Sequence, residues 1–128
     1  MKIYLLVDKA KSGKTTLLKQ LGYKFCGDDS SRFSMFLKLI YNGEKKIAID
    51  DFMNIGATSS LLKLMFEKRP VLYEEKFKNP ILIQPKMYED VEIVLSTKFE
   101  HLHKFGLGLL ARCQKVSVEE FKKIKGVI

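Results

Sequence analysis

Lys2-Ile3-Tyr4-Leu5-Leu6-Val7, continuing into Asp8-Lys9-Ala10-Lys11-Ser12-Gly13-Lys14-Thr15-Thr16, is the stretch on which the fold turns. An apolar strand that runs into Gly-Lys-Thr and then a helix is the core of a phosphate-binding loop, in which backbone N–H groups face an anion. In that pattern Lys14 reaches the β- and γ-phosphates and the Thr15 hydroxyl sits on Mg²⁺, with Ser12, Gly13 and Thr16 completing the nucleotide-binding set. The full pattern is G-x-x-x-x-G-K-[ST], and this chain has Asp8 at the first glycine position. A carboxylate is therefore expected close to a polyphosphate, offset by Lys9 and Lys11. The competing reading is a lysine-rich turn between a strand and a helix.

A second stretch supports the first. Lys46-Ile47-Ala48-Ile49-Asp50-Asp51-Phe52 is an apolar strand, residues 46–50, that ends in two carboxylates, a Walker-B pattern. One carboxylate, Asp50, serves the metal and the next, Asp51, polarises the attacking water. Ligands of a doubly wound sheet bind at the carboxyl ends of its strands, where both motifs fall.

Composition sets the bounds. A chain of 128 residues is expected to form one domain with a proper core. It has no apolar run of membrane-spanning length, and Asp8 and Lys9 interrupt the N-terminal apolar stretch, so an intracellular protein without a signal peptide is expected. Cys26 and Cys113 suggest neither a disulfide framework nor a zinc site. His101 and His103 have no carboxylate or cysteine at metal spacing. The formal net charge is +8 and the pI about 9.5, which suits a polyanionic partner such as nucleic acid. The arginines are Arg32, Arg69 and Arg112.

Along the chain the pattern alternates between strands and helices, predicting an α/β fold with a mostly parallel sheet. After the first strand, a helix runs from the loop to near Leu21, with Gly22 as its stop. A short strand at residues 23–25 and the turn Gly27-Asp28-Asp29-Ser30 follow. Phe33, Phe36, Leu37 and Ile40 recur at helical spacing up to Asn42-Gly43. Thr58, Ser59 or Ser60 is expected to cap a helix carrying Leu61, Leu62, Leu64 and Met65, which ends before Pro70. Residues 71–76 and 81–84 read as a hairpin around Lys78-Asn79-Pro80. A strand at 91–96, a helix over 99–110 weakened by Gly106 and Gly108, and a strand at 115–118 complete the pattern. Ser117-Val118-Glu119-Glu120 is a capping box before a short basic helix.

This order of features resembles the superfamily 3 helicase domain, above all that of replication initiator (Rep) proteins of circular single-stranded DNA viruses, such as circoviruses, and of related plasmids. The similarity runs from Ile3 to about Val118, and includes Tyr41-Asn42-Gly43-Glu44 ahead of the Walker-B strand. The resemblance implies a P-loop NTPase of AAA+ type, with a mostly parallel sheet flanked by helices and a β-hairpin insertion. It implies a single ATPase domain over 1–128 without the family's N-terminal nicking domain. It further implies ATP and Mg²⁺ as ligands, single-stranded DNA as partner, and a ring-shaped homo-oligomer such as a hexamer. By residue, it assigns Asp50 to the metal, Asp51 to the water, and Thr97, after Ile93-Val94-Leu95-Ser96, to the sensor position where the family has Asn. Arg112 matches the finger arginine that reaches a neighbour's nucleotide, with Cys113 where a second arginine often stands. Lys76 matches a channel-facing hairpin residue, Lys78 assists it, and Phe77 is a candidate for base stacking.

Two functions from different classes fit these residues. One is a Mg²⁺-dependent ATPase and DNA helicase motor. The other is a degenerate, catalytically weak P-loop module that binds nucleic acid or a replication partner. Gly13-Lys14-Thr15 and Asp50-Asp51 favour the first; Asp8, Cys113 and the missing Asn favour the second. A small-molecule kinase is disfavoured by the lack of an arginine-rich lid.

Overall fold

The strand Lys2–Val7 (β1) is buried from Ile3 to Val7, as an unbroken apolar run requires of a central parallel strand covered on both faces. It pairs in parallel with Glu92–Thr97 (β6) on one side and Gln114–Val116 (β7) on the other. Beyond β6 come Lys46–Ile49 (β3) and Lys24–Phe25 (β2), also parallel, giving the order β2-β3-β6-β1-β7. This computed structural model describes residues 1–9, 11–26, 32–50, 56–74 and 78–127, without the side chains of 32–34, 56–59 and 104. The expected turn at 27–30, and Asp51, Phe52, Lys76 and Phe77, lie outside the described residues.

Alternation along the strands divides the core in two. On one face Tyr4, Leu6, Ala48 and Val94 pack with Leu17 and Leu18 of helix Lys14–Gln20 (α1) and Val118 and Phe121 of helix Val118–Ile124 (α5). On the other, Ile3, Leu5, Ile47, Ile49 and Ile93 pack with helices Arg32–Tyr41 (α2) and Gly56–Phe66 (α3), through Phe36, Leu37, Leu61 and Leu62. The predicted hairpin is present as the antiparallel pair Val71–Tyr73 (β4) and Ile81–Ile83 (β5), outside the main sheet. Its Val71, Tyr73 and Ile83 join the second core. The molecule is therefore α/β, with helices over a parallel five-stranded sheet. Among the described residues no helix is long and apolar enough to cross a membrane.

Local signals set the helix ends. Gly22 has φ 84°, and the N–H groups of Gly22 and Tyr23 return to the carbonyls of Lys19 and Leu18, a Schellman stop. Ser117 caps α5 reciprocally with Glu120, as the capping box predicts.

Two expectations need correction, and one element is new. Residues 58–60 lie inside α3, which begins at Gly56, rather than capping it. Packing of Leu61, Leu62 and Met65 outweighs the weak helix propensity of the preceding hydroxyl residues. The helix expected over 99–110 is two pieces, a 3₁₀ segment Phe99–Lys104 and a helix Leu107–Arg112 (α4). Phe105 and Gly106 between them are extended, which seats Phe105 in the core. Finally, a 3₁₀ turn at Pro85–Met87, opened by the proline, was not expected.

The topology places the site. The connection leaving β1 travels to β2 at one edge, whereas that leaving β6 travels past β1 to β7 at the other. The carboxyl ends of β1 and β6 therefore border the crevice where the connections part, the place at which open α/β sheets bind ligands.

Candidate functional site

At this crevice a cleft of about 460 Å³ is lined by Lys11, Ser12, Gly13, Lys14, Thr15, Thr16, Asp50 and Lys98. All five residues assigned to nucleotide binding from sequence are thus brought to one cavity, together with the first Walker-B carboxylate. Gly13, the N-cap of α1, has φ 89°, a left-handed conformation that glycine adopts without steric cost. Lys11 takes φ 61° with a side chain attached, at a cost of about 1 kcal/mol that the surrounding loop must hold. No side chain caps the first turn of α1, so its orphan N–H groups face a demand for an acceptor.

Lys14 is 8% exposed. Its ammonium donates to the carbonyl oxygens of Asp8 (3.3 Å) and Lys9 (2.9 Å) and to Ser12 Oγ (3.2 Å). The charge is thereby held at the mouth of the loop by partners of its own segment. The Thr15 hydroxyl donates to Asp50 Oδ2 at 2.8 Å, joining two motifs thirty-five residues apart. A hydroxyl and a carboxylate oxygen side by side form a hard-donor pair suited to Mg²⁺, which takes few protein ligands and completes its shell with water and phosphate oxygens. Among the described residues there is no group of three or more His, Cys, Asp and Glu that would form an all-protein metal cage.

Asp8 departs from expectation. Its carboxylate is engaged away from the lining of the cleft: Oδ1 accepts from the Lys9 N–H at 2.9 Å and Oδ2 from the Val118 N–H at 3.1 Å. The Val118 hydrogen bond, ahead of smaller contributions from Lys9 and Lys14, holds this carboxyl below the usual aspartate range against some desolvation. The residue at the missing glycine position therefore ties the start of the loop to the first turn of α5. Nothing in the sequence pattern signals this bond, which joins residues 110 positions apart in the chain.

Thr97 ends β6 opposite Val7, and its carbonyl accepts from the Asp8 N–H at 3.4 Å. Its hydroxyl, like that of Ser96, is buried without a hydrogen-bond partner among the described residues. Thr97 does not line the cleft; the next residue, Lys98, does. Lys98 was missed because it follows the strand rather than belonging to a motif. The usable signal was its position, one residue past the end of the central strand between the two motif strands.

Other candidates lie elsewhere. Arg112 is exposed at the end of α4 and does not line the cleft, with its guanidinium carbon 5.2 Å from the centre of the Phe66 ring. Lys78 is exposed beside the hairpin. His101 and His103 lie on the 3₁₀ segment. Burial pushes the Cys113 thiol up to about 11, which makes it a poor nucleophile, and Cys26 is buried in the core. Asp51 and Lys76 lie outside the described residues.

A scan against protein-family models and a search of curated proteins each found no match to this chain.

Proposed function

We propose that this chain is a P-loop NTPase domain of AAA+ type, which binds ATP with Mg²⁺ and hydrolyses it while bound to single-stranded DNA, in the manner of a superfamily 3 helicase. The observation that carries this reading is the 2.8 Å bond from Thr15 to Asp50 in the lining of a cleft that also holds Ser12, Gly13, Lys14 and Thr16. Two short motifs that are each unspecific alone meet at the distance their shared chemistry needs.

In this reading Lys14 exchanges the loop carbonyls for phosphate oxygens, and the N–H groups of the loop and of the first turn of α1 donate to the other oxygens of the polyphosphate. Thr15 and Asp50 hold Mg²⁺, which neutralises charge on the transferring phosphoryl group when bound. Asp51, adjacent in sequence, orients the attacking water. Arg112 would act in trans on a neighbouring subunit's nucleotide, a role with which its exposure is compatible. The excess of basic over acidic residues, with Lys76 and Lys78 in the sequence between β4 and β5, supplies sequence-blind phosphate contacts to a strand. The bond of the Asp8 carboxylate to the Val118 N–H supports this reading, since it gives the residue at the missing glycine position a partner other than the polyphosphate.

The test is Mg²⁺-dependent ATP hydrolysis with and without single-stranded DNA, on this chain and on Lys14→Ala. Turnover that DNA stimulates and the substitution abolishes supports the motor. DNA binding without nucleotide binding or turnover replaces it with the binding module.

A further inference from the structure

Three lysines line the cleft, and they differ in how they are held. Lys11 and Lys14 belong to the loop, and Lys14 is occupied by three oxygens of that loop. Lys98 directly follows β6. That strand lies between β1 and β3, so its carboxyl end sits between the phosphate loop and Asp50. The register fixes it there: Val7 faces Thr97, Ile49 faces Leu95, and the Asp8 N–H binds the Thr97 carbonyl. Lys98 is thus anchored by the sheet and independent of the loop's conformation.

Thr15 and Asp50 mark the wall of the cleft at which a metal and the terminal phosphate of a nucleotide would lie. Lys98 lines the same cleft, from the strand end between the loop and Asp50. An ammonium group at this place meets an oxygen-rich, doubly charged end group in a triphosphate and is left facing water when only a diphosphate is bound. Thr97, which the sequence suggested for this task, has its hydroxyl buried and does not line the cleft.

We infer that Lys98 is a phosphate-binding residue that reads the terminal phosphate, giving the cleft its preference for nucleoside triphosphate over diphosphate. The inference rests on the nucleotide-binding reading and names its discriminating contact. It requires a contact made by one charged side chain to one charged group, which charge-assisted hydrogen bonding makes worth about tenfold in affinity.

The experiment measures dissociation constants for fluorescent ATP and ADP analogues, with Mg²⁺, on the intact chain and on Lys98→Gln, Lys98→Arg and Lys14→Ala, each checked for folding by circular dichroism. The expected result is that Lys98→Gln loses about tenfold in affinity for the triphosphate and less than about twofold for the diphosphate. Lys98→Arg retains the preference, and Lys14→Ala loses both ligands. Equal losses for both nucleotides in Lys98→Gln, or none, overturn the inference while leaving the nucleotide site intact. An intact chain that binds neither nucleotide overturns the nucleotide reading and the inference with it.

Discussion

The two ends of the same five strands are built to opposite rules. At the amino end, Lys2 and Lys46 flank Glu92 in register, and the Glu92 carboxylate receives the Tyr23 hydroxyl and the Lys125 ammonium, the latter at 2.5 Å. Lys125 also lies 5.3 Å from the Tyr4 ring, 5.7 Å from Phe121 and 6.0 Å from Tyr23. Lys2, Lys46, Glu92 and Lys125 each have a partner within the chain. At the carboxyl end, lysines face an open cleft, the first turn of α1 has no side-chain cap, and two hydroxyls are buried without partners among the described residues. A satisfied cluster stabilises the fold, whereas an unsatisfied one retains free energy for a ligand. The contrast teaches where a binding site can be: unspent polar groups gather where the sheet's connections part.

Substitutions can break the contrast from either end. The largest effect is expected from Lys14→Ala, which should weaken nucleotide binding by at least about 100-fold, about 2.7 kcal/mol, in a titration with a fluorescent analogue. Retained affinity would remove Lys14 from the site. Next, Glu92→Gln should cost about 2 kcal/mol in a urea unfolding experiment, since it removes the charge shared by buried Tyr23 and half-buried Lys125. Its nucleotide affinity should stay within about twofold of the parent. A shift in affinity comparable to that of Lys14→Ala would mean that the two ends are not separate.

Acid should act through the same carboxylate. Burial pushes the Glu92 carboxyl up, but the bonds from Lys125 and Tyr23 outweigh it and hold it below the ordinary glutamate value. The unfolded chain titrates this group near 4.3, so the folded state binds fewer protons around and below that pH. The Glu92 contribution is therefore full above the unfolded value and lost as pH falls through the folded one. Stability curves of the parent and Glu92→Gln should converge at acid pH; parallel curves would show that Glu92 is not the linked group.

Asp8→Gly restores the glycine of the loop pattern yet removes the anchor on Val118. A loss of about 1 kcal/mol in stability is expected, with nucleotide affinity unchanged. A gain in stability would show that the Asp8–Val118 bond contributes nothing. The smallest effect belongs to Arg112→Ala, about 0.5 kcal/mol for the exposed contact with Phe66. If Arg112 acts across a subunit boundary, turnover should fall only under conditions where the protein assembles, measured against sedimentation.

Much of this was legible beforehand because it is local. The Gly22 and Gly43 stops, the Ser117 capping box and the strand-loop-helix at Lys2–Gln20 are written within a few residues of one another. The meeting of Thr15 with Asp50 was legible too, because the two motifs carry complementary donors. The anchor of Asp8 was not legible, for its partner is the backbone N–H of Val118, and a backbone group has no sequence signature. Lys98 was passed over because a lysine after a strand is common; its meaning lies in the neighbours of β6.

Strand and helix placement, the two-faced core and the loop chemistry follow from periodicity, glycine conformation and capping, which act between near neighbours in the chain. The pairing of Asp8 with Val118, the charge cluster on Glu92 and the position of Lys98 depend on strand order. That order emerges from packing the apolar faces of the helices onto both sides of one sheet, a many-body balance that no short stretch of residues encodes.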